Sequence, residues 1–395
     1  MRKKIATENI RIGMFIDKLE GSWIKSPFWK SAFKLKDNRD LKLLRSSGVK
    51  QVWIDTNKGL DVEPPKTVKK PAVKTEQKQP ATEAPVSLEE EMESARRIQT
   101  EATEKITSMF QDARMGKAIK AQNALPVANE IYLSVIRNPG ALISLTRLKT
   151  ADNYTYMHSV AVCGLMIALG RQIGLDESLV KSLGMAGLLH DVGKMAIPDE
   201  ILNKPGRLTD NEFGVIKSHP VQGWEMLKDS EGVDEMTLDV CLHHHEKMDG
   251  SGYPEKLSAE NISLYAKMGA VCDVYDAITS NRSYKEGWAP ADSIRKMASW
   301  KNSHFDETIF DHFVRMIGIY PVGTLVKLSN GRLAVVLDQG ENLLKPRVKV
   351  VYSTNTRAFI EPSIIDLKKT DGAIEDVMDP TEFGIDVNKI AGLTE

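Results

Sequence analysis

Four of the eight histidines in this 395-residue chain fall in two short stretches, "GLLHDVGK" at 187–194 and "HHHEKMDGSGYP" at 243–254. Each stretch also carries an aspartate. Packing alone does not call for this, because a buried imidazole needs a hydrogen-bond partner and three consecutive histidines would each need one. A shared ligand explains the clustering better. Adding the histidines and aspartates of the surrounding region gives His158, His190, Asp191, His219, His244, His245 and Asp273. Imidazole mixed with carboxylate, without thiolate, suits Fe, Mn, Co or Zn better than Mg or Ca. If Asp191 bridges, two ions share the set evenly: His158, His190, Asp191 and Asp273 on one, and Asp191, His219, His244 and His245 on the other. Each six-coordinate ion would keep about two positions for a water and a substrate oxygen, which is the layout of a hydrolytic centre. A single His-Asp pair would be read as a satisfied hydrogen bond. Seven such residues in one region, near helix ends and glycine-rich turns, are not explained that way, and the isolated His304 and His312 are left out.

These residues need a scaffold, and the length allows two or three domains at roughly 150 residues each. Composition is that of a globular protein, 42% hydrophobic and 27% charged, with a net charge of −1. So even a balance gives no general attraction to a nucleic acid polymer or an anionic membrane. Cys163, Cys241 and Cys272 form no CxxC and leave an odd count, which argues against a disulfide framework and fits a reducing cytoplasm. The basic N-terminus has no apolar run behind it and no stretch of about 18 apolar residues follows, so neither an export signal nor membrane insertion is expected.

The fold class expected is multidomain and mainly α. Residues 1–62 mix short apolar alternations with a helical stretch, "DNRDLKLLRSSGV", and read as a small α/β domain. Residues 63–86 are rich in Pro, Lys, Thr and Glu and read as a flexible linker. Ser87 and Glu90 open a helix over 87–116 whose apolar stripe, Met92, Ala95, Ile98, Ala102, Ile106 and Met109, predicts either a homodimer seam or packing on its own domain. Residues 120–320 show helical periodicity with stops at Gly140, Gly174, Gly206 and Gly250, and read as an all-α domain. From 321 to 370 alternating runs joined at Asn330-Gly331, with a third strand after them, predict a small antiparallel β appendage. Residues 371–395 are left as a tail.

In chain order, "YTYMHSV", "GLLHDVGK", "SHPVQGWEML", "HHEKMDGSGYP" and "CDVYDAITSNRSYK" resemble the HD phosphohydrolase superfamily, and within it the HD-GYP branch of phosphodiesterases that act on the bacterial second messenger cyclic di-GMP. The resemblance spans about half the chain. The N-terminal "IRIGMFIDKLEGSWIKSPF", with Ser22-Trp23 and Pro27-Phe28, is similar to a poorly characterised domain that often precedes HD-GYP domains, which implies a regulatory role.

The resemblance implies metal ligands at the seven positions above. Spacing to Glu246 and the "DGSGYP" loop gives His244 and His245 the ligand roles and leaves His243 over. Some members carry a glutamate four residues before the first histidine that helps hold a third metal. Tyr154 stands there, and a phenol is a poor ligand at neutral pH, so two divalent ions are expected, Fe or Mn foremost, with Zn, Co or Ni as alternatives. The resemblance further implies that Lys194 touches the scissile phosphate, one helical turn past His190 if that helix continues, and that Arg282 and Lys285 hold substrate phosphates. In the loop, Gly252 permits close backbone approach and the Tyr253 ring, set before Pro254, is expected to stack on a guanine. The activity implied is hydrolysis of cyclic di-GMP to linear pGpG as the main product, with a second cut to GMP left open, and with Asp191 and Lys194 catalytic. Two other readings stand beside it, a hydrolase of another cyclic dinucleotide and a silent receptor or partner of a diguanylate cyclase.

Overall fold

The computed structural model describes residues 2–19, 33–35, 41, 51–60, 86–145, 154–280, 287–338 and 342–394. Its contacts divide the chain into two units, Met1–Pro80 and Ala81–Glu395. The first holds strands β1 (Arg2–Ala6), β2 (Phe15–Leu19), β3 (Phe33–Lys34) and β4 (Gln51–Asp55) in one antiparallel sheet of order β1-β4-β2-β3. Alternation puts Val52 and Ile54 on the face that buries Ile5, Ile10, Met14, Ile16 and Leu35. The helical stretch expected before Gly48 lies outside the described residues except at Leu41, which is helical. The Ser22-Trp23 and Pro27-Phe28 marks and nearly all of the expected linker also lie outside them.

The second unit begins with α1 (Leu88–Arg114), opened by a capping box in which Ser87 Oγ accepts from Glu90 N at 3.3 Å and Glu90 Oε2 accepts from Ser87 N at 2.8 Å. Its stripe, extended by Phe110 and Ala113, is buried in the core of its own unit. Of the two uses expected for that stripe, the helix takes the intramolecular one. Buried Glu91 accepts from Arg137 Nε and Nη2 at 2.6 and 2.8 Å and from Ser134 Oγ at 2.8 Å, which ties α1 to α2 (Leu125–Arg137). Gly140 does not act as a stop. It lies inside α3 (Pro139–Leu145), and the break falls at Asn138, which is extended before a proline and whose Oδ1 accepts from Gly140 N at 2.9 Å.

The helical core is completed by α4 (Tyr154–Ile173), α5 (Glu177–Leu189), α6 (Asp199–Leu202), α7 (Asp210–Ile216), α8 (His219–Leu227), α9 (Glu235–His243), α10 (Leu264–Thr279), α11 (Pro290–Ala298) and α12 (Glu307–Ile317). Every residue of α4 from His158 to Gly170 is buried, so it runs through the centre and packs against α5, α10 and α12. No helix among the described residues is long and apolar enough to cross a membrane.

Strands β5 (Leu325–Leu328), β6 (Arg332–Asp338), β7 (Arg347–Ser353), β8 (Ala358–Asp366) and β9 (Ile374–Val377) then form an antiparallel sheet of order β8-β7-β6-β5-β9. The expected hairpin turns at Asn330-Gly331, with Gly331 at φ 72°. Residues 371–395 are more than a tail. They supply the edge strand β9 and a short helix, α13 (Val387–Ile390), and bury Ile385, Ala391 and Leu393 in the core that also takes α1.

Candidate metal centre

Five helices bring the seven expected residues to one place. His158 comes from α4, His190 and Asp191 from the end of α5, His219 from the start of α8, His244 and His245 from the end of α9, and Asp273 from the middle of α10. All are buried except His245, whose side chain is 22% exposed. Ligand atoms of His158, His190 and Asp273 lie within 4.8 Å of one another, as do those of His219, His244 and His245. Asp191 stands between the two groups: Oδ2 is 3.4 Å from both His158 Nε2 and His190 Nε2, while Oδ1 is 3.2 Å from His219 Nε2 and 3.9 Å from His244 Nε2. One carboxylate thus turns one oxygen to each set.

The rings are aimed by the hydrogen bonds of their other nitrogens. His190 Nδ1 donates to Gly187 O at 2.8 Å, His219 Nδ1 to Ile216 O at 2.8 Å and His244 Nδ1 to Val240 O at 3.0 Å, which leaves each Nε2 as the acceptor facing the cluster. His158 Nδ1 meets Asp276 Oδ2 at 2.5 Å and its Nε2 lies 3.0 Å from Asp273 Oδ1. Asp276 is absent from the set expected from sequence, although its signal is there: it follows Asp273 by three residues on a helix and so shares its face.

Electrostatics divide the cluster. Burial pushes the His245 imidazole down to about 3, and burial with the neighbouring imidazoles holds His244 well below its usual value. Burial opposes ionisation of Asp191 and Asp273 alike. It is outweighed at Asp191 by the Lys194 ammonium and His190, and at Asp273 by hydrogen bonding from His158 with the charges of nearby imidazoles, so both carboxyls sit well below the usual range. Burial also acts against a charge on His158, yet Asp273 and Asp276 outweigh it and raise its pKa, so positive charge is favoured between these carboxylates. Among the described residues, His190 Nε2 and Asp191 Oδ1, both buried, have no hydrogen-bond partner. Such atoms are costly unless something else satisfies them, and oriented imidazole nitrogens with bridging carboxylate oxygens are the donor set of a divalent transition metal. The residues fit divalent metal.

Lys194 reaches the cluster by a different route from the one expected. The α5 helix ends at Leu189, and a 3-10 turn, Val192–Ala196, carries the lysine, with Nζ 2.5 Å from Asp191 Oδ2. The turn can lie flat on α8 because of Gly193, where a Cβ would come 1.9 Å from His219 O. His243 faces away from the cluster, with Nδ1 2.8 Å from Asp239 Oδ1 and Nε2 3.4 Å from Glu255 Oε2. Arg282 and Lys285 lie outside the described residues.

Tyr253 lies over the cluster. Its N donates to His245 O at 3.2 Å and its ring stacks on the His245 ring with centroids 4.7 Å apart. Burial, with the charges of Asp273 and Asp191, pushes its phenol up, so it stays a hydroxyl. Glu246, used only as a spacing mark in the sequence, holds this loop: its buried carboxylate accepts from the backbone N–H of Glu255, Lys256 and Leu257 at 2.7, 3.0 and 3.0 Å. Gly252 lies against its backbone, where a Cβ would come 2.5 Å from Glu246 Cα. Removing three charge-assisted bonds in Glu246→Ala is expected to cost on the order of 3 kcal/mol in urea unfolding and to open residues 247–257 to proteases. A variant as stable and as resistant as the parent would show that the loop is held by other contacts.

Above the cluster opens a cavity of about 820 Å³. Lys194, Tyr154 and Tyr253 line it with His158, His219, His245 and Asp273, and its apolar side includes Leu202, Leu208 and Phe213. That volume is in the range of small-molecule sites.

Over residues 138–309 the chain matches the family described as HD domain, and over 2–124 the one described as Domain of unknown function (DUF3391). It is 54% identical over 371 residues to a cyclic di-GMP phosphodiesterase of Pseudomonas aeruginosa, a span covering 93% of this chain and 89% of that one. It is 42% identical over 155 residues to the cyclic di-GMP phosphodiesterase response regulator RpfG of Xanthomonas campestris, 39% of this chain and 40% of that one. To a 3'3'-cGAMP-specific phosphodiesterase of Vibrio cholerae it is 36% identical over 156 residues, 38% of this chain and 30% of the other.

Proposed function

We propose, from the premise that the chain belongs to the HD-GYP branch of the HD-domain phosphodiesterases, that it hydrolyses cyclic di-GMP to linear pGpG at a centre of two divalent ions. The observation that carries the two-ion reading is Asp191, with one carboxylate oxygen turned to His158 and His190 and the other to His219 and His244. His158, His190, Asp191 and Asp273 would hold one ion, and Asp191, His219, His244 and His245 the other. When bound, such ions supply Lewis acidity towards a phosphoryl oxygen and make a water a stronger nucleophile near neutral pH.

The chain's own groups do the rest. Backbone carbonyls and Asp276 keep the imidazoles oriented, so no reorganisation is needed as the reaction proceeds. Lys194 lines the cavity beside Asp191 and offsets the charge that grows on the non-bridging phosphate oxygens. Tyr253 is fixed by the His245 stack and the Glu246 cradle, and caps the site as a surface for a base. Arg282 and Lys285 are assigned to the substrate phosphates by their place in the motif.

The test is turnover of cyclic di-GMP by protein prepared without air and supplied with Fe(II) or Mn(II), with products separated by chromatography. We expect pGpG to accumulate, activity to vanish with chelator, and reconstitution to restore it. Undiminished turnover by metal-free protein would remove the mechanism. Tight binding without turnover in the metal-loaded protein would favour the receptor reading, and faster turnover of 3'3'-cGAMP would move the substrate to a mixed dinucleotide.

A further inference from the structure

The cavity has a wall remote in sequence from the metal ligands. Arg114, in the last turn of α1, and Asp199, the first residue of α6, both line it. Arg114 Nη1 lies 2.8 Å from Asp199 Oδ1 and donates to Ile197 O at 3.3 Å, and Asn203 Nδ2 donates to the same Oδ1 at 3.3 Å. All these contacts run through Nη1 and Oδ1. Among the described residues, Nε and Nη2 of Arg114 and Oδ2 of Asp199 have no protein hydrogen-bond partner. The side chains are 28% and 62% exposed. A donor group and an acceptor group therefore stand side by side, held at one corner, with spare capacity at the cavity.

Such a pair is poorly suited to phosphate. It carries no net charge, and whatever the guanidinium gains from an anion the adjacent carboxylate opposes. It suits a neutral edge that offers an acceptor next to a donor. Guanine has that edge: O6 accepts, and the neighbouring N1–H and 2-amino group donate. Adenine has the reverse polarity at the corresponding positions, a 6-amino donor beside the N1 acceptor. It would leave both protein groups facing their own kind. Leu202, Leu208 and Phe213 lie on the same cavity and supply the apolar face on which a base can rest.

We infer that Arg114 and Asp199 read the Watson–Crick edge of one guanine of the substrate, Arg114 donating to O6 and Asp199 accepting from N1–H and the 2-amino group. This deepens the cyclic dinucleotide reading above and rests on it. Neither residue belongs to the motifs that carry the metal centre. Arg114 lies on α1, far before the first of the metal-site residues in the chain, and reaches the site only through the fold.

The experiment measures dissociation constants of the slowly hydrolysed bis-phosphorothioate analogues of cyclic di-GMP and cyclic di-AMP on the metal-loaded full chain. Wild type is compared with Arg114→Ala, Asp199→Asn and the double exchange of Arg114→Asp with Asp199→Arg. The guanine-over-adenine ratio is expected to fall roughly 10- to 100-fold in each single variant. In the double exchange it should fall further, towards adenine, because donor and acceptor have traded places while an ion pair between α1 and α6 is kept. If the pair only ties the helices, both analogues weaken together in the single variants, the double exchange recovers both, and the inference is overturned. Asp199→Asn, at an exposed and nearly isosteric position, keeps the test decisive if Arg114→Ala folds poorly. The two readings also fail separately. Unmoved ratios alongside normal turnover overturn the role of this pair, whereas absent turnover with ratios that shift as described overturns the hydrolase assignment and supports the pair.

Discussion

Asp191→Ala is expected to empty both metal positions and to abolish turnover of cyclic di-GMP. Loss of an outer partner of a metal ligand already costs about 10- to 100-fold in affinity or activity, and Asp191 turns one oxygen to His158 and His190 and the other to His219 and His244. Its removal should therefore exceed that range at each position. Asp191→Asn keeps the shape but offers a single acceptor oxygen, so at most one position should retain metal. His243→Ala is the matched control, since its ring meets Asp239 and Glu255 and not the cluster. Metal content by elemental analysis and turnover by chromatography decide the matter together. An Asp191→Ala protein with two ions per chain and parental activity would sink the bridging role, and equal losses in His243→Ala and His244→Ala would show that the ligands are a different two members of the triplet.

Why these seven positions are legible without coordinates is a matter of chemistry density. Imidazole and carboxylate recur over little more than a hundred residues, and few structural roles ask for that. Their burial and their convergence into overlapping groups follow from the packing of five helices, which periodicity predicts singly but not jointly. Asp276 is within reach of the same reasoning, because i, i+3 spacing from Asp273 on one helix places it behind the first histidine. Glu246 is not, since its role depends on three backbone N–H groups that only the folded loop assembles.

The end of α5 shows a different limit. "GLLHDVGK" carries nothing that stops a helix before its glycine, so a helix continuing to Lys194 is the natural expectation. The turn arises because Asp191 adopts φ −101° and ψ 6° and Gly193 lies against the backbone of α8, a tertiary contact. Strand β8 hides for a similar reason. "AFIEPSIID" is largely exposed at the sheet's edge, so it lacks the alternation that marks a half-buried strand, and its proline is tolerated there. Arg114 and Asp199, far apart in the chain, share no pattern at all. Proximity across the fold is what makes them a pair.

Lys194→Ala is expected to lower kcat by roughly 10- to 1000-fold with little change in KM, the range seen when a single electrostatic donor to a developing anion is removed. The position supports this. The ammonium lines the substrate cavity, 20% exposed, 2.5 Å from the Asp191 oxygen that faces His158 and His190. A phosphoryl group gains charge on its non-bridging oxygens as the reaction proceeds, so a cation there binds the transition state more strongly than the ground state. Loss of Arg282, by contrast, should act on KM if that residue holds a phosphate equally in both. Lost metal is the obvious confounder, and the electrostatics argue against it. Lys194 helps hold the Asp191 carboxyl below its usual range, but the buried carboxylates of Asp191, Asp273 and Asp276 already leave the cluster rich in negative charge. Deleting the ammonium makes the cluster more negative, which favours binding of cations. Metal content should therefore stay level while kcat falls. A variant that keeps both ions and the parental kcat would leave Lys194 as a surface partner of Asp191 and return the burden of charge stabilisation to the metal centre alone.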